Sequence, residues 1–475
     1  MKFLLVNPPS MGRYWKPATP HVGFGYLAEV LLTNRHQVEI ADMRLNIRLS
    51  DLVEKIQKFH PDYIGITTAS LDYQEVYDLV DKIKEGFDIP IIMGGPHPSV
   101  VKEQVLQYSR FDGAVYGEGE RTILEIARGL PYRKIKGLIW RNKRGEIVVN
   151  PPRELIMNLD ELPFPKYKKF SLGKYMEHKI PLIGERGCPY GCTYCAARLI
   201  LGRGFRKRSP ENILEEIKYW YKRGYQDFGF NDDEFTGDNE WAEKICDLII
   251  KNNLKATFEL RTGVRVDRVN ERLISKMKEA GFFFFAFGVE SADQKVLNLM
   301  KKGTTPAQTK RAVKLVNKYG LESSGFFIIG LPGDTPAKFR KTLNFAKKLN
   351  LNEVRFYNAV PYPGTELYDW VLKYGRLLHS PEVFLNKYHL FQREPIFETD
   401  DFPAEERRRA FDQAEQFFAE LLFIKTVGKT LAKPLIILCR NNYIRKILIN
   451  LGFRFTPHIR KIQKLRKKLV KPSSD

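Results

Sequence analysis

Cysteine is scarce in this 475-residue chain: there are five, an odd number, and three of them fall between positions 188 and 195. So few and so clustered, they cannot lay out the disulfide framework of a small secreted protein, and they fit a reducing compartment, the cytoplasm. Long apolar runs are missing too. No stretch reaches the roughly 18 consecutive apolar residues that a membrane-spanning helix needs. The opening "MKFLLVNPPSMGRYW" lacks the apolar core and small-residue cleavage site of a signal peptide, and reads as a first buried strand. Repeats of solenoid period are absent. Acidic residues all but vanish at the C-terminal end: from Lys425 onward fourteen Lys or Arg face only Asp475, so this tail carries +13 of the net charge of +22. Any polyanion binding therefore belongs to the tail. A composition of 43% hydrophobic and 28% charged residues is that of a globular protein, here long enough for two or three domains.

What is present is alternation. "KFLLVN", "QVEIAD", "YIGITTAS", "PIIMGG" and "GAVYGEG" read as strands, with amphipathic stretches between them such as "GFGYLAEVLLTN" and "YQEVYDLVDKIKEG". "VVKEQVLQY" is expected to be one such helix. Strict strand–helix alternation predicts an α/β domain, a Rossmann-like parallel sheet covered on both faces, over residues 1–149. Small and polar residues follow the strands and mark the rim where such sheets bind ligands. A Pro-rich linker spans 150–179. A second series over 180–379 has strand candidates "PLIGER", "DFGFND", "ATFELR", "FFFFAFGVE", "SGFFIIGLPG" and "EVRFYNAVPYPG". Six βα units imply a partial barrel rather than a closed eight-fold one. Residues 380–475 read as a helical, basic extension.

Cys188-x3-Cys192-x2-Cys195 lies just past a predicted strand, in a loop stiffened by Pro189 and loosened by Gly187 and Gly191. Structural zinc takes four protein ligands. Cys246 and Cys439 lie far off, and none of the eight His is near in sequence. Three sulfurs on one tight loop suit three irons of a 4Fe–4S cluster, leaving the fourth iron to a non-protein ligand. The spacing leaves open a zinc site completed by a distant residue, or buried cysteines without a metal.

The loop, with Tyr194 before its last cysteine, resembles the signature of the radical S-adenosylmethionine (radical SAM) enzymes. "FNDDEFTGD", "GVES", "GFFIIGLPGDT" and "PYPGTELY" match further, at successive strand ends. "HVGFGYLAEVL", "IIMGGPHPS", "DGAVYGEGE" and "LDELPFP" are similar to the cobalamin-binding-type domain that precedes the barrel in one branch of that superfamily. The resemblance covers roughly residues 1 to 380. It implies a 4Fe–4S cluster on Cys188, Cys192 and Cys195. It also implies reductive cleavage of SAM to a 5′-deoxyadenosyl radical, with the electron from a donor such as flavodoxin or ferredoxin, and cobalamin-dependent methylation of an unactivated carbon. A cobalamin-free cyclase, oxidase or carbon–carbon coupling enzyme is the alternative. A non-catalytic metal scaffold with a membrane- or RNA-binding tail is a second.

By the same resemblance Asp232 and Asp233 would hold the SAM ammonium and Arg261 its carboxylate. Glu290 would meet the ribose, and Tyr194 and Gly330 the adenine. Thr67, Ser70, Gly94, Gly95, Gly117 and Glu118 would line the cobalamin site. The first domain lacks an Asp-x-His-x-x-Gly run, so His21 and His97 are expected to be structural and the corrinoid to have no protein imidazole beneath it. The tail interleaves basic residues with Leu, Ile and Phe in "YIRKILINLGFRF", a pattern that can lie on an anionic membrane surface. That placement, at the inner face of the membrane, hints at an apolar lipid or natural-product substrate; nucleic acid is the less favoured partner.

Overall fold

A computed structural model describes residues 1–9, 17–69, 73–387, 393–439, 441, 444–445 and 447–449. In the first domain the alternating elements are β1 (Lys2–Asn7), α1 (Val22–Thr33), β2 (Gln37–Asp42), α2 (Leu49–Phe59), β3 (Tyr63–Thr67) and α3 (Tyr73–Gly86). They continue through β4 (Ile91–Gly94), α4 (Pro96–Val101), α5 (Gln104–Gln107), β5 (Gly113–Val115) and α6 (Glu120–Ala127). Strands β6 (Leu138–Arg141) and β7 (Ile147–Val149) complete a seven-stranded sheet in the order β2-β1-β3-β4-β5-β6-β7. The first five are parallel, and the order reverses beside β1, which opens a crevice at the carboxyl ends. Apolar side chains point both ways along β1: Leu4 and Val6 pack under α2 and α3, while Phe3 and Leu5 pack under α1 and α6. That is why the strand reads as a continuous apolar run.

Two features depart from expectation. The far edge of the sheet is antiparallel, because β6 and β7 form a hairpin. Asn142 closes it by accepting the N–H groups of Arg144 and Glu146 at 2.9 and 3.0 Å. The helix expected over 100–108 is broken at Lys102 (φ +47°), which leaves the two short helices α4 and α5.

The second domain runs β8 (Lys179–Leu182), β9 (Glu185–Arg186), α7 (Ala197–Leu201), β10 (Arg206–Lys207), α8 (Pro210–Tyr221) and β11 (Asp227–Phe230). Then come α9 (Asn239–Lys251), β12 (Thr257–Val264), α10 (Glu271–Ala280), β13 (Phe282–Glu290), α11 (Gln294–Leu299) and α12 (Pro306–Lys318). The series closes with β14 (Glu322–Ile329), α13 (Pro336–Lys348), β15 (Glu353–Asn358) and α14 (Glu366–Tyr374). Six parallel strands lie in chain order, β8-β11-β12-β13-β14-β15, with β8 and β15 at opposite edges. The sheet is therefore a partial barrel. Phe285, Phe287 and Val289 of β13 enter the core beneath the helices, while Gly288 and Glu290 face a cavity at the carboxyl end.

After α15 (Pro381–Lys387), α16 (Ala404–Val427) buries Phe411, Phe418 and Phe423 in the barrel's own core. Gly428 (φ +86°) turns the chain into α17 (Lys429–Leu438). No described helix is long and apolar enough to cross a membrane. The segment between the domains is packed, not free: Ile156, Leu159 and Leu162 lie against Tyr26 and Val30 of α1, and the Tyr175 hydroxyl donates to Asp42 at 2.9 Å.

Candidate functional site

The cysteine loop leaves β9 and returns through β10, which pair antiparallel with Arg206 opposite Arg186. At this neck Gly187 has φ +91°, and a Cβ there would stand 2.6 Å from the carbonyl oxygen of Gly204, so no other residue fits. The loop tip is pinned by backbone bonds from Thr193 N to Met300 O (3.1 Å) and from Leu367 N to Thr193 O (2.9 Å). All three cysteines reach one cavity of about 340 Å³, within the range of small-molecule sites. None is in a disulfide. Burial, against which the Tyr190 N–H works, pushes the Cys188 thiol up to about 12. Three thiolates on this wall would need positive charge among them, which the irons of a cluster would supply. Among the described residues no group of three or more His, Cys, Asp or Glu is gathered closely enough to hold a single metal ion. The three sulfurs fit a cluster.

Opposite the cysteines stands a buried ion pair. Lys302 Nζ lies 2.8 Å from Glu290 Oε1, each side chain 7% exposed, and the Tyr194 hydroxyl donates to the same oxygen at 2.9 Å. Glu290 closes β13 with φ +63°, a strained backbone for a non-glycine residue. Gly288 keeps the space: a Cβ there would meet Glu290 Oε1 at 2.8 Å and Lys302 Nζ at 2.9 Å. Burial alone would lower the Lys302 ammonium, but Glu290 outweighs it and holds its pKa above the ordinary lysine value. From the end of β12 comes Arg265, stacked 3.7 Å over the Tyr190 ring, with Nε and Nη2 on Asp267. Its buried Nη1 has no hydrogen-bond partner. An unanswered guanidinium donor beside a buried ammonium is what a ligand carboxylate requires.

Tyr194, Asp233 and Glu290 line this cavity, and Asp233 Oδ2 accepts the Gly187 N–H at 2.8 Å. Three expected contacts lie elsewhere. Asp232 is 1% exposed, accepts the Gly184 N–H at 2.7 Å, and has its pKa pushed up to about 8 by burial; Glu234 stands at the cavity instead. Arg261 turns onto Glu259 (2.9 Å) and Glu353 (3.6 Å) and over the Phe284 ring, away from the cysteines. Gly330 is tied to Asp334 through its N–H (3.0 Å) and to Arg407 through its carbonyl (3.2 Å). A Cβ at Gly330 would collide with that guanidinium; Ile328 takes the place at the cavity. Lys302 and Arg265 were not singled out from sequence.

The rim of the first sheet brings together Thr67, Gly94, Gly95 and Gly117, while Ser70 lies outside the described residues. Gly94 and Gly117 have nothing within 4 Å of where a Cβ would stand, and the buried Thr68 hydroxyl has no partner. Gly95 serves the turn itself: with φ +93°, its Cβ would stand 2.8 Å from Thr67 Oγ1. Two bare glycines and an unanswered hydroxyl fit a broad flat group laid on this edge. Neither histidine is offered to it. His97 stacks on Tyr73 (4.9 Å between ring centroids) and reaches the Tyr77 hydroxyl at 3.2 Å, while His21 Nδ1 accepts the Phe24 N–H at 3.1 Å. Burial lowers both imidazole pKa values to about 4. Glu118 departs from expectation: both carboxylate oxygens are taken by Arg186, Arg206 and the Ile156 N–H, and its side chain is 2% exposed. Rim and cluster loop meet, because α4, which begins at Gly95–Pro96, packs against α7, which follows Cys195.

Residues 183–346 match the radical SAM superfamily and residues 15–127 the B12 binding domain. An uncharacterised methyltransferase of Pyrococcus horikoshii is 35% identical over 80% of this chain and 84% of its own length. The anaerobic magnesium-protoporphyrin IX monomethyl ester cyclase of Rubrivivax gelatinosus is 27% identical over 90% of this chain and 79% of its own. In fold, the chain is similar to the cobalamin-dependent SAM radical enzyme OxsB, solved with aqua-cobalamin and SAM (TM-score 0.70, 18% identity, 100% of this chain and 76% of that one). The chain belongs to the radical SAM superfamily, in the branch with a B12-binding domain ahead of the barrel, and is an enzyme whose cofactors are a 4Fe–4S cluster, S-adenosylmethionine and cobalamin.

Proposed function

We propose that the enzyme methylates an unactivated carbon of an apolar small molecule, with the corrinoid as methyl carrier. One observation carries this reading: the bare-glycine rim of the first domain abuts the three-cysteine loop through α4 and α7, so two cofactors can share one substrate space. When bound, the cluster supplies one electron to the SAM sulfonium and the corrinoid carries the methyl group. Cys188, Cys192 and Cys195 hold the cluster. Lys302 and the open Nη1 of Arg265 receive the SAM carboxylate, a role assigned to them rather than to Arg261. Asp233 and Glu234 face its ammonium, and Glu290, held by Tyr194, is in reach of the ribose. Phe326, Ile328 and Tyr357 form an apolar wall that excludes water from the reacting carbon. A low-potential flavodoxin- or ferredoxin-type donor supplies the electron. The test uses methyl-labelled SAM with reduced, cofactor-loaded enzyme. Label is expected in the protein-bound corrinoid; SAM cleavage with no label there points instead to the cyclase, oxidase or coupling chemistry.

The described part of the C-terminal region supports a membrane-surface location. Val427, Leu431, Ile437, Leu438 and Ile447 are all exposed, Leu431 at 67%, and Lys425, Lys429 and Lys433 alternate with them. Exposed apolar side chains among lysines suit an anionic lipid interface better than RNA, which needs charge but not grease. Residues 451–475 lie outside the described residues; their sequence adds further basic charge. Sedimentation with vesicles of phosphatidylserine and phosphatidylcholine is expected to fall in the Leu431→Glu/Ile437→Glu/Leu438→Glu variant. Equal sedimentation by both proteins, or competition by RNA, would remove this role.

A further inference from the structure

We infer that Glu118 is a positioning residue that fixes the cluster loop against the corrinoid rim and so sets the separation of the two cofactors. This inference rests on the cofactor assignment above. Glu118 follows Gly117, whose N–H is held by Ser99 Oγ at 2.9 Å at the carboxyl end of β5. Its Oε1 receives Arg186 Nη1 at 2.9 Å and Arg206 Nη1 at 2.7 Å, and its Oε2 receives the Ile156 N–H at 2.8 Å. Arg186 and Arg206 face each other across the two-stranded neck, and Cys188 stands two residues beyond Arg186. A single carboxylate thus grips both stems of the cluster loop from the rim of the other domain. Arg186 also donates to Glu120 at 2.7 Å, and Arg206 to the carbonyls of Ile156 and Leu201, each at 2.9 Å.

The arrangement is stiff for a stated reason. All four charged side chains are nearly inaccessible, the most exposed being Arg186 at 9%. Two carboxylates balance two guanidiniums in charge, and of the donors in the clasp the buried Arg206 Nε has no hydrogen-bond partner. The fork of Arg186 spends one branch on each glutamate, which fixes its plane as well as its position. Nothing in this clasp touches the cavity, so its effect on the reaction passes through the loop it holds. Geometry matters on this scale, since an error of about 1 Å in a reacting pair can cost on the order of 10²-fold in rate.

The test compares wild type with Glu118→Gln, both loaded with cluster and cobalamin. The Co(II)-to-reduced-cluster distance distribution is measured by pulsed electron paramagnetic resonance, alongside 5′-deoxyadenosine formed per methyl transferred. The variant is expected to load both cofactors, to broaden the distance distribution, and to form about tenfold or more 5′-deoxyadenosine per methyl group. An unchanged distribution overturns the inference, even where the melting temperature falls, because a merely structural carboxylate would lower stability and leave the distance alone. Should Glu118→Gln fail to fold, Arg186→Lys keeps the charge and gives up the fork; a broadened distribution supports the inference and an unchanged one overturns it. A wild-type protein with no corrinoid would count against the cofactor assignment and would be seen before any variant is made.

Discussion

Replacing Lys302 by methionine keeps most of the side chain's volume and removes its ammonium, leaving Glu290 7% exposed with only the Tyr194 hydroxyl. Breaking a buried pair from one side typically costs about 3–5 kcal/mol, because a carboxylate is stranded in low dielectric. The double variant Lys302→Met/Glu290→Gln removes both charges, and the new side-chain amide carbonyl can still accept from Tyr194. Most of the loss in the barrel's stability is therefore expected to return. Ligand affinity is expected not to return. If Lys302 meets the SAM carboxylate, one charge-assisted hydrogen bond worth about 1.5–3 kcal/mol is gone in both variants. That corresponds to a rise in Kd of about 10- to 150-fold. Urea unfolding of the unloaded protein measures the first quantity, and equilibrium dialysis of SAM against cluster-loaded protein the second. Wild-type stability and wild-type SAM affinity in Lys302→Met would refute both the buried pair and its role.

Three further outcomes follow from other contacts. Cys192→Ala, which removes the most buried sulfur of the triplet, is expected to lower iron and sulfide content and abolish 5′-deoxyadenosine; unchanged SAM cleavage would contradict the ligand assignment. Gly288→Ala pushes a methyl group against both Glu290 and Lys302, and is expected to raise the Kd for SAM with little loss of fold, read by the same dialysis and by circular dichroism. His97 has a folded pKa of about 4 against 6.5 unfolded, so its stabilisation is present above pH 6.5 and is lost as pH falls towards 4. Between pH 7 and 5 that is about 2 kcal/mol, and His97→Asn is expected to flatten the pH dependence of urea unfolding by that amount.

Much of the fold was legible because buried strands in a two-faced sheet must be apolar on both sides. "FFFFAFGVE" and β13 coincide residue for residue, and the helical reading of the region after 380 meets α16, which buries Phe411 and Phe418 in the barrel core. The β6–β7 hairpin was not legible: its strands are four and three residues long, with β7 carrying no fully buried side chain. The cysteine triplet announced itself by spacing alone. Its partners did not. Strand β12 was read as ending at Arg261, but it runs to Val264 with a register shift after Leu260, so the arginine at the cavity is Arg265. Lys301 and Lys302 are neighbours in sequence, yet one is 60% exposed and the other 7%, a difference made by Glu290 twelve residues earlier. Glu118 and Gly330 were assigned to ligands because each follows a strand, and both are consumed by arginines 68 and 77 residues away. Strand ends can be found from periodicity; which polar side chain at an end faces the cavity depends on partners brought from far along the chain.

The most direct measurement is metal and sulfide analysis of anaerobically reconstituted protein, with its low-temperature electron paramagnetic resonance spectrum recorded before and after SAM is added. About four iron and about four sulfide per chain, with a reduced-cluster signal that changes on adding SAM, is the predicted result. One zinc held by four side chains at the cysteine loop, indifferent to SAM, would contradict it.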